Sequence, residues 1–416
     1  MGNVLSTYIF LLAGNSYETL GLLSAATGLS MTLVVFPAGF LADRFRRDWM
    51  LKIAGVIGIM SLGVITVAEE INLIMISLIL WGAFQGINRP SLEAIFADSV
   101  PSRTRSRVYS WNHLTRQFAM ATGPFLNVLL FYIIGNQWTL ANLRKVMIAG
   151  IIISLLSVSL LFFFDDDKAL KDASEAVKDV EIPISPNLPR NVALQRRSVR
   201  IVPYILVASN IIIGFGAGMT VKYLPLFFIR IYSLLPIDVQ LIMGFTSIAT
   251  GLSSITAQRL SIKNGRPQLI FIVQSLATLC LFLIAFYPPL WLLIPLFIVR
   301  GSFMNASQPL SRSILMDLIP KHSRGKWNSV EAIAWGLFWN VSSAIGGFLI
   351  GSEDNFRLVF LVTAALYTFG TSIILFIVPL VPSEVFALEE KESHPIEACT
   401  GEVLLRTREE SIGKGQ

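Results

Sequence analysis

Eleven long apolar segments constrain the fold of this chain more than any other feature of its sequence. Each can cross the hydrocarbon core of a bilayer as a helix, which takes about 20 mostly apolar residues. We predict spans at 18–42, 49–67, 71–97, 106–134, 141–164, 200–229, 236–258, 268–287, 289–318, 327–350 and 357–381. Hydrophobic residues make up 54% of the chain, more than a water-soluble globule of this size can bury. We therefore expect an all-α, multi-pass integral membrane protein surrounded by lipid.

A short apolar segment from Val4 to Leu12 precedes these spans. It is too short to cross a bilayer. We interpret it as the outer end of a first transmembrane helix whose beginning is missing, which gives twelve spans with the first one truncated. A signal-peptide remnant is the alternative, but the segment has neither a basic region before it nor a small-residue cleavage site after it.

Polar segments divide the chain into two halves. The segment 165–199 contains three consecutive aspartates and three prolines, a composition typical of a linker. We predict an N-terminal bundle at 1–164, a linker at 165–199, a C-terminal bundle at 200–382 and a disordered tail at 383–416.

The basic residues concentrate in one alternate set of the predicted loops, which includes Arg44 to Arg47 and the linker. Lysine and arginine favour cytoplasmic loops, so this distribution places the linker and the C-terminus in the cytoplasm. It also accounts for the formal charge of +6 without a nucleic-acid partner. Few basic residues fall on the opposite, outer side: Arg144, Lys145, Arg230 and Arg357.

The segment 82–107 superposes on 301–326 without a gap, which indicates an internal repeat. The matches include Gly82 with Gly301, Pro90 with Pro309, and Asp98 with Asp317. Each half is therefore predicted to be one structural repeat of six spans. Two related halves are what a transporter needs when it rocks them around a central site.

The loop between the second and third spans, Gly39 to Arg47, has the sequence GFLADRFRR. It closely resembles the signature loop G-x-L-A-D-R-x-x-R-R of the major facilitator superfamily. Together with the six-plus-six layout and the linker, the resemblance covers essentially the whole chain. It implies two pseudo-symmetric six-helix bundles, a cavity lined by spans 1, 4, 7 and 10, and transport by alternating access.

The resemblance also implies a conformational latch on the cytoplasmic side. Asp43 would lie under the N-terminus of span eleven, and Arg47 would pair with Asp98 at the end of span four. Together they would hold the outward-open state. The alternative is a basic loop that only sets the membrane topology.

The chain departs from two further family motifs. Gly82 stands where the R-x-x-Q-G motif linked to proton coupling has its arginine. Asn127 and Val128 stand where the exchanger motif G-P-x-x-G-G has its last two glycines. The first departure argues against proton coupling by that arginine, and the second leaves little support for antiport.

Ionisable residues inside a span are costly, and they are functional candidates by default. In span four, Arg89 and Glu93 share a helix face, and in span ten, Gln308 and Arg312 are predicted to share a face with Arg300. We hypothesise that Arg89, Glu93 and Arg312 form a cytoplasmic gate or the floor of the site. The alternative is an Arg89–Glu93 pair within one helix and an Arg312 side chain that snorkels.

Arg300 lies eleven residues from the outer end of its span, a depth of about 16 Å by helix rise. It could contact the solute or make a structural hydrogen bond. Lys222 lies near the outer end of span seven and could contact the solute or snorkel. Asn305 is a weaker candidate.

Cations outnumber acids inside the spans, which favours an anionic or polyhydroxylated small solute. If protons drive transport, Glu93 is the best carboxylate to carry them. Two cysteines and three scattered histidines exclude a disulfide framework and a metal cluster. An intramembrane hydrolase would need a Ser–His pair or paired aspartates within the spans, which are lacking. We expect a monomeric transporter without cofactor, metal or enzymatic activity, and a non-transporting sensor on the same fold is the alternative.

Overall fold

The computed structural model describes residues 2–44, 46–99, 105–165, 201–318 and 334–380, and these ranges contain helices and no strand. The helices are α1 (Gly2–Leu12), α2 (Tyr17–Arg44), α3 (Arg47–Val67), α4 (Ile71–Ser99), α5 (Arg105–Ile134), α6 (Leu140–Ser159), α7 (Val202–Val221), α8 (Leu224–Tyr232), α9 (Pro236–Asn264), α10 (Arg266–Ile284), α11 (Leu290–Leu318), α12 (Trp339–Ile350) and α13 (Phe356–Ile374). A 3₁₀ turn, Leu160–Phe163, extends α6, and a π-helical turn, Ala334–Phe338, leads into α12. The all-α prediction is confirmed.

Nine segments within the described ranges are long and apolar enough to cross a membrane. Three shorter apolar helices correspond to predicted spans one, five and eleven: Gly2–Leu12, Phe118–Ile134 and Gly336–Ile350. Together they confirm the twelve-span architecture. The predicted tail and all of the predicted linker except Asp165 lie outside the described residues, so the domain boundaries stay a prediction.

The packing of the helices repeats between the two halves of the chain. In the first half α4 packs on α2 and α3, and in the second half α11 packs on α9 and α10. The halves meet mainly where α2 packs on α12 and where α5 packs on α9. This arrangement confirms two pseudo-symmetric bundles. We call the helix ends opposite the loop at Arg44 to Arg47 the outer ends.

Glycines on α4 allow the backbone of α2 to approach closely. A Cβ atom at Gly82 would lie 2.3 Å from the carbonyl oxygen of Thr27, and one at Gly86 would lie 2.8 Å from that of Met31. Such distances leave no room for any side chain without a shift of the helices. An arginine at position 82, as in the R-x-x-Q-G motif, would not fit this contact.

Polar side chains link helices inside each half, where lipid cannot satisfy them. The Ser61 and Ser77 hydroxyls on α3 and α4 each donate to the other's carbonyl oxygen, at 2.8 and 2.9 Å. On α10, Gln274 donates to Ser307 of α11 at 3.0 Å and accepts from Thr371 of α13 at 3.3 Å. These bonds fix the helix positions that frame the space between the halves.

Small residues also bring α2, α7 and α12 together where the halves meet. A Cβ atom at Gly28 of α2 would lie 2.2 Å from the Cβ atom of Asn340, and one at Gly218 of α7 would lie 2.0 Å from the carbonyl oxygen of Trp339. We call this contact region the glycine junction, and its members are Gly21, Gly28, Gly218, Gly346 and Gly347. It places three helices from both halves in direct backbone contact.

The predicted span seven, 200–229, is not one helix but two. The chain leaves α7 after Val221 and begins α8 at Leu224. Pro225 lies in the first turn of α8, and because proline has no N–H it cannot bond the carbonyl of Val221 one turn earlier. The break places Lys222 and Tyr223 at the join between the two helices.

Candidate functional site

A polar stripe runs along α11 within the membrane. The side chains of Asn305, Gln308 and Arg312 are exposed, whereas Ala306 and Ser307 between the first two are buried. The Asn305 amide donates to Gly301 at 2.8 Å and accepts from Gln308 at 3.3 Å. Exposed polar groups at membrane depth face water rather than lipid. This stripe therefore borders a water-accessible space.

Arg300 does not lie on this stripe. It is only 5% exposed, and its Nη2 donates to the hydroxyl of Tyr367 on α13 at 3.1 Å. Its Nε is buried without a partner among the described residues. The predicted shared face of Arg300, Gln308 and Arg312 is thus divided between a buried and an exposed part. Arg300 thus makes a structural hydrogen bond, which was one of its two predicted roles. Its contact with the solute stays a prediction.

Lys222 lies at the break between α7 and α8 and is half-buried. Its Nζ donates to Oδ1 of Asn340 on α12 at 2.7 Å. The six residues that follow it, 223–228, are all buried. The side chain is therefore directed to a neighbouring helix and not along its own helix to the outer surface, as snorkelling would require.

The structure describes the side chains of only some residues of the predicted cytoplasmic gate and latch. Arg89 and Arg312 are exposed, but the side chain of Glu93 lies outside the described residues. The gate formed by these three residues stays a prediction. The side chains of all three latch residues, Asp43, Arg47 and Asp98, also lie outside the description.

The described part of the loop between α2 and α3 contacts its own half. Arg46 binds Asp48 at 3.1 Å and approaches Asp165, beyond α6, to 3.7 Å. Lys52 also binds Asp48, at 3.2 Å. The carboxylate of Asp48 is thus nearly buried between two cations, and the cluster ties α3 to the end of α6.

At the outer ends, a three-residue cluster joins the two halves. Tyr17, at the start of α2, donates a hydrogen bond to Asp354 in the connection between α12 and α13. Arg230, at the end of α8, donates to the same carboxylate at 2.7 and 3.0 Å. We call Tyr17, Arg230 and Asp354 the outer latch. Because Tyr17 belongs to one half and the ion pair to the other, the latch holds the outer ends together.

A second set of outer contacts joins α5 to α9. Asn127 donates to Gln240 at 3.3 Å, and the backbone N–H of Ile237 donates to Asn136 at 3.0 Å. The indole of Trp138 donates to the carbonyl of Leu234 at 2.8 Å. Asn127, which replaces a glycine of the exchanger motif, therefore bridges the two halves.

The rare outer basic residues also form bonds at the outer ends, although no role was predicted for them. Arg144 binds Glu69 at 2.8 Å, and Arg230 forms the latch. Arg357 donates to the carbonyl of Ala285 at 3.2 Å. Three of the four outer basic residues thus make specific bonds. No signal in the sequence marked Tyr17.

Comparisons with known proteins place this arrangement among membrane transporters. The model of the Major Facilitator Superfamily matches residues 2–237 and 206–408. A search of curated proteins finds no match.

Three solved structures illustrate the similarity of the fold. A D-xylose–proton symporter superposes with a TM-score of 0.67 at 18% identity, over 92% of this chain and 93% of that chain. An inward-facing bacterial homologue of the iron transporter ferroportin gives 0.65 at 14% identity, over 90% and 93%. The nucleoside transporter NupG gives 0.65 at 13% identity, over 90% and 94%.

Proposed function

Because this chain belongs to the Major Facilitator Superfamily, it is a membrane transporter, and we propose that it moves a small solute by alternating access. In this mechanism the two bundles rock around a central site that opens to one side of the membrane at a time. The protein works as a monomer, since each chain supplies both bundles. Transport is either facilitative or coupled to an ion.

The polar stripe on α11 is the observation that carries this proposal. Asn305, Gln308 and Arg312 are exposed in a helix whose other faces pack on α7, α9 and α10. A polar, solvent-contacting stripe at this depth is what a solute pathway requires. A purely structural membrane helix would bury these groups or replace them with apolar ones.

The outer contacts support an inward-facing state of the cycle. The outer latch and the α5–α9 contacts join the halves at their outer ends. With that side closed, the space beside α11 would open to the cytoplasm. The outward-facing state then requires these bonds to break.

The solute is anionic or polyhydroxylated. The described side chains at membrane depth include the cations Arg300, Arg312 and Lys222, which can bind an anion or donate to hydroxyl groups. Glu93 is the carboxylate best placed along the sequence to couple protons, although its side chain lies outside the described residues.

Uptake into proteoliposomes tests the proposal. The purified protein is reconstituted and supplied with radiolabelled xylose, uridine, lactate, succinate and inorganic phosphate, with and without a pH gradient. We expect saturable uptake of at least one solute above protein-free liposomes. If a pH gradient accelerates uptake, Glu93→Gln should abolish the acceleration, and unchanged acceleration in that variant discards the role of Glu93.

The same preparation separates transport from sensing. Binding of a solute without any flux, under conditions in which a known transporter is active, would favour the non-transporting sensor. Flux of a neutral sugar alone would retain the transporter and remove the preference for anions.

A further inference from the structure

Lys222 is a membrane-embedded cation without a carboxylate partner among the residues that the structure describes. Its Nζ donates to the neutral amide of Asn340 at 2.7 Å, which uses one of its three N–H donors. A charged group at this depth is expensive unless it is paired or functional. Among the side chains that the structure describes, the site therefore lacks a negative charge.

The acidic residues whose side chains the structure describes cannot supply that charge. Each of them lies in a connection between helices or within the first three residues of a helix: Glu18, Asp48, Glu69, Glu70, Asp165, Asp238, Glu353 and Asp354. Lys222, by contrast, follows the 20 residues of α7 and precedes the nine of α8. It thus lies about 15 Å by helix rise from the end of α8, deeper than the outer end of the span at which the sequence placed it.

The surroundings of Lys222 fix the ammonium group in place. Asn340 accepts from Lys222 through Oδ1 and donates through Nδ2 to the carbonyl of Gly336 at 2.6 Å. The amide therefore has a defined orientation. On its other side Asn340 packs against Gly28 of α2, so the Lys222–Asn340 pair lies where the two halves meet.

The helix break brings the C-terminus of α7, which favours the charge of Lys222 itself, next to the N-terminus of α8. The chain begins α8 two residues after Lys222, and the N-terminus of a helix favours negative charge. Lys222 itself stays half-buried, so part of its surface contacts solvent. The two N–H donors of Lys222 that Asn340 leaves open are the groups that can bind an oxyanion here.

We propose that Lys222 binds the carboxylate or phosphate group of the transported solute, and that Asn340 positions the ammonium group for it. The inference rests on the proposed function and narrows its solute to an organic or inorganic oxyanion. In the absence of solute, the Asn340 amide takes the place of the anion as the partner of Lys222. The solute anion then occupies the donors that Asn340 leaves open.

Thermal-shift titration of the purified full chain in detergent tests the proposal. The probes are lactate, succinate and inorganic phosphate, with xylose as the neutral control and sodium chloride to match ionic strength. We expect at least one oxyanion to raise the melting temperature, and its apparent affinity to fall at least tenfold in Lys222→Gln. Lys145→Gln, which removes an exposed lysine on the outer side, should leave the affinity unchanged.

A second variant keeps the test decisive if Lys222→Gln does not fold. Asn340→Asp retains the lysine and gives it an internal carboxylate, which should raise the melting temperature without ligand. The same carboxylate should compete with the oxyanion and weaken its binding at least tenfold. If no oxyanion stabilises the natural chain, or if both variants bind as tightly as it does, the proposal is overturned.

Failure of the oxyanion site can be distinguished from failure of the proposed transport function. Uptake of xylose that is insensitive to Lys222→Gln retains the transporter and rejects the oxyanion site. Oxyanion binding that depends on Lys222, without uptake of any solute, retains the site and rejects transport.

Discussion

Replacement of Tyr17 by phenylalanine should shift the protein toward its outward-open state. The variant loses only the hydroxyl that donates to Asp354 across the two halves. A hydrogen bond to a charged group contributes about 1.5–3 kcal/mol. Because the Arg230 and Asp354 side chains remain 42% and 22% exposed, water competes for the carboxylate, and we take the lower end of that range. About 1.5 kcal/mol corresponds to roughly a tenfold change in the ratio of the two states.

Distances between spin labels at the outer ends would measure this change. Asn72 at the start of α4 and Ser352 beyond α12 are exposed and belong to different halves. Cysteines at these two positions can be labelled once Cys280 and Cys399 are replaced by serine. We expect double electron–electron resonance on this pair to resolve a shorter distance and a longer, outward-open one. In Tyr17→Phe the ratio of the longer to the shorter distance should rise about tenfold.

Arg144→Gln provides the matched control. It breaks an outer ion pair of similar kind, Arg144 with Glu69, that lies within one half. It should therefore leave the distance distribution unchanged. The reasoning is refuted if Tyr17→Phe changes the ratio of distances less than twofold, or if Arg144→Gln changes it equally.

Three further predictions concern stability and are checked by melting temperature in detergent. Gly82→Ala should destabilise the protein by about 1–3 kcal/mol because its methyl group would meet the backbone of α2, whereas Gly63→Ala, with open space around it, should not. Ser77→Ala should lower the stability by about 0.6 kcal/mol and at most about 2 kcal/mol, since it removes one of two reciprocal bonds between α3 and α4. An unchanged melting temperature would contradict this. Tyr367→Phe should cost about 1.5–3 kcal/mol because it removes the hydroxyl that Arg300 bonds, and stability equal to the natural chain would show that the bond contributes nothing.

The membrane spans could be predicted because the bilayer dictates their length and composition. Any helix that crosses hydrocarbon needs a long apolar segment, and such segments are visible without knowledge of the fold. The break after Val221 was missed because hydropathy averages over a window, and one proline such as Pro225 changes that average little. The proline itself was the available signal.

The division of α11 into buried and exposed faces shows a second limit. A spacing of four residues advances a helix by about 40° beyond a full turn, so Arg300 and Arg312 differ by about 120°. The prediction of one shared face neglected this drift. The structure buries Arg300 and exposes Arg312 accordingly.

The outer latch could not be derived from periodicity at all. Tyr17 and Asp354 are 337 positions apart, and their contact depends on how the two halves dock. Sequence patterns describe neighbours within one helix, not partners across bundles. The scarcity of basic residues on the outer side marked Arg230 as unusual, but only the docked halves identify its partner.

The glycine junction has a mechanical consequence. Where Gly28 and Gly218 meet α12, the nearest atoms belong to the backbone or to the short side chains of Asn340 and Ser342. Helices that meet through such contacts can roll slightly against each other, because no large side chain has to move out of a groove on the opposite helix. Even a single methyl group added at Gly28 or Gly218 would force the helices apart, so these positions tolerate little change in sequence.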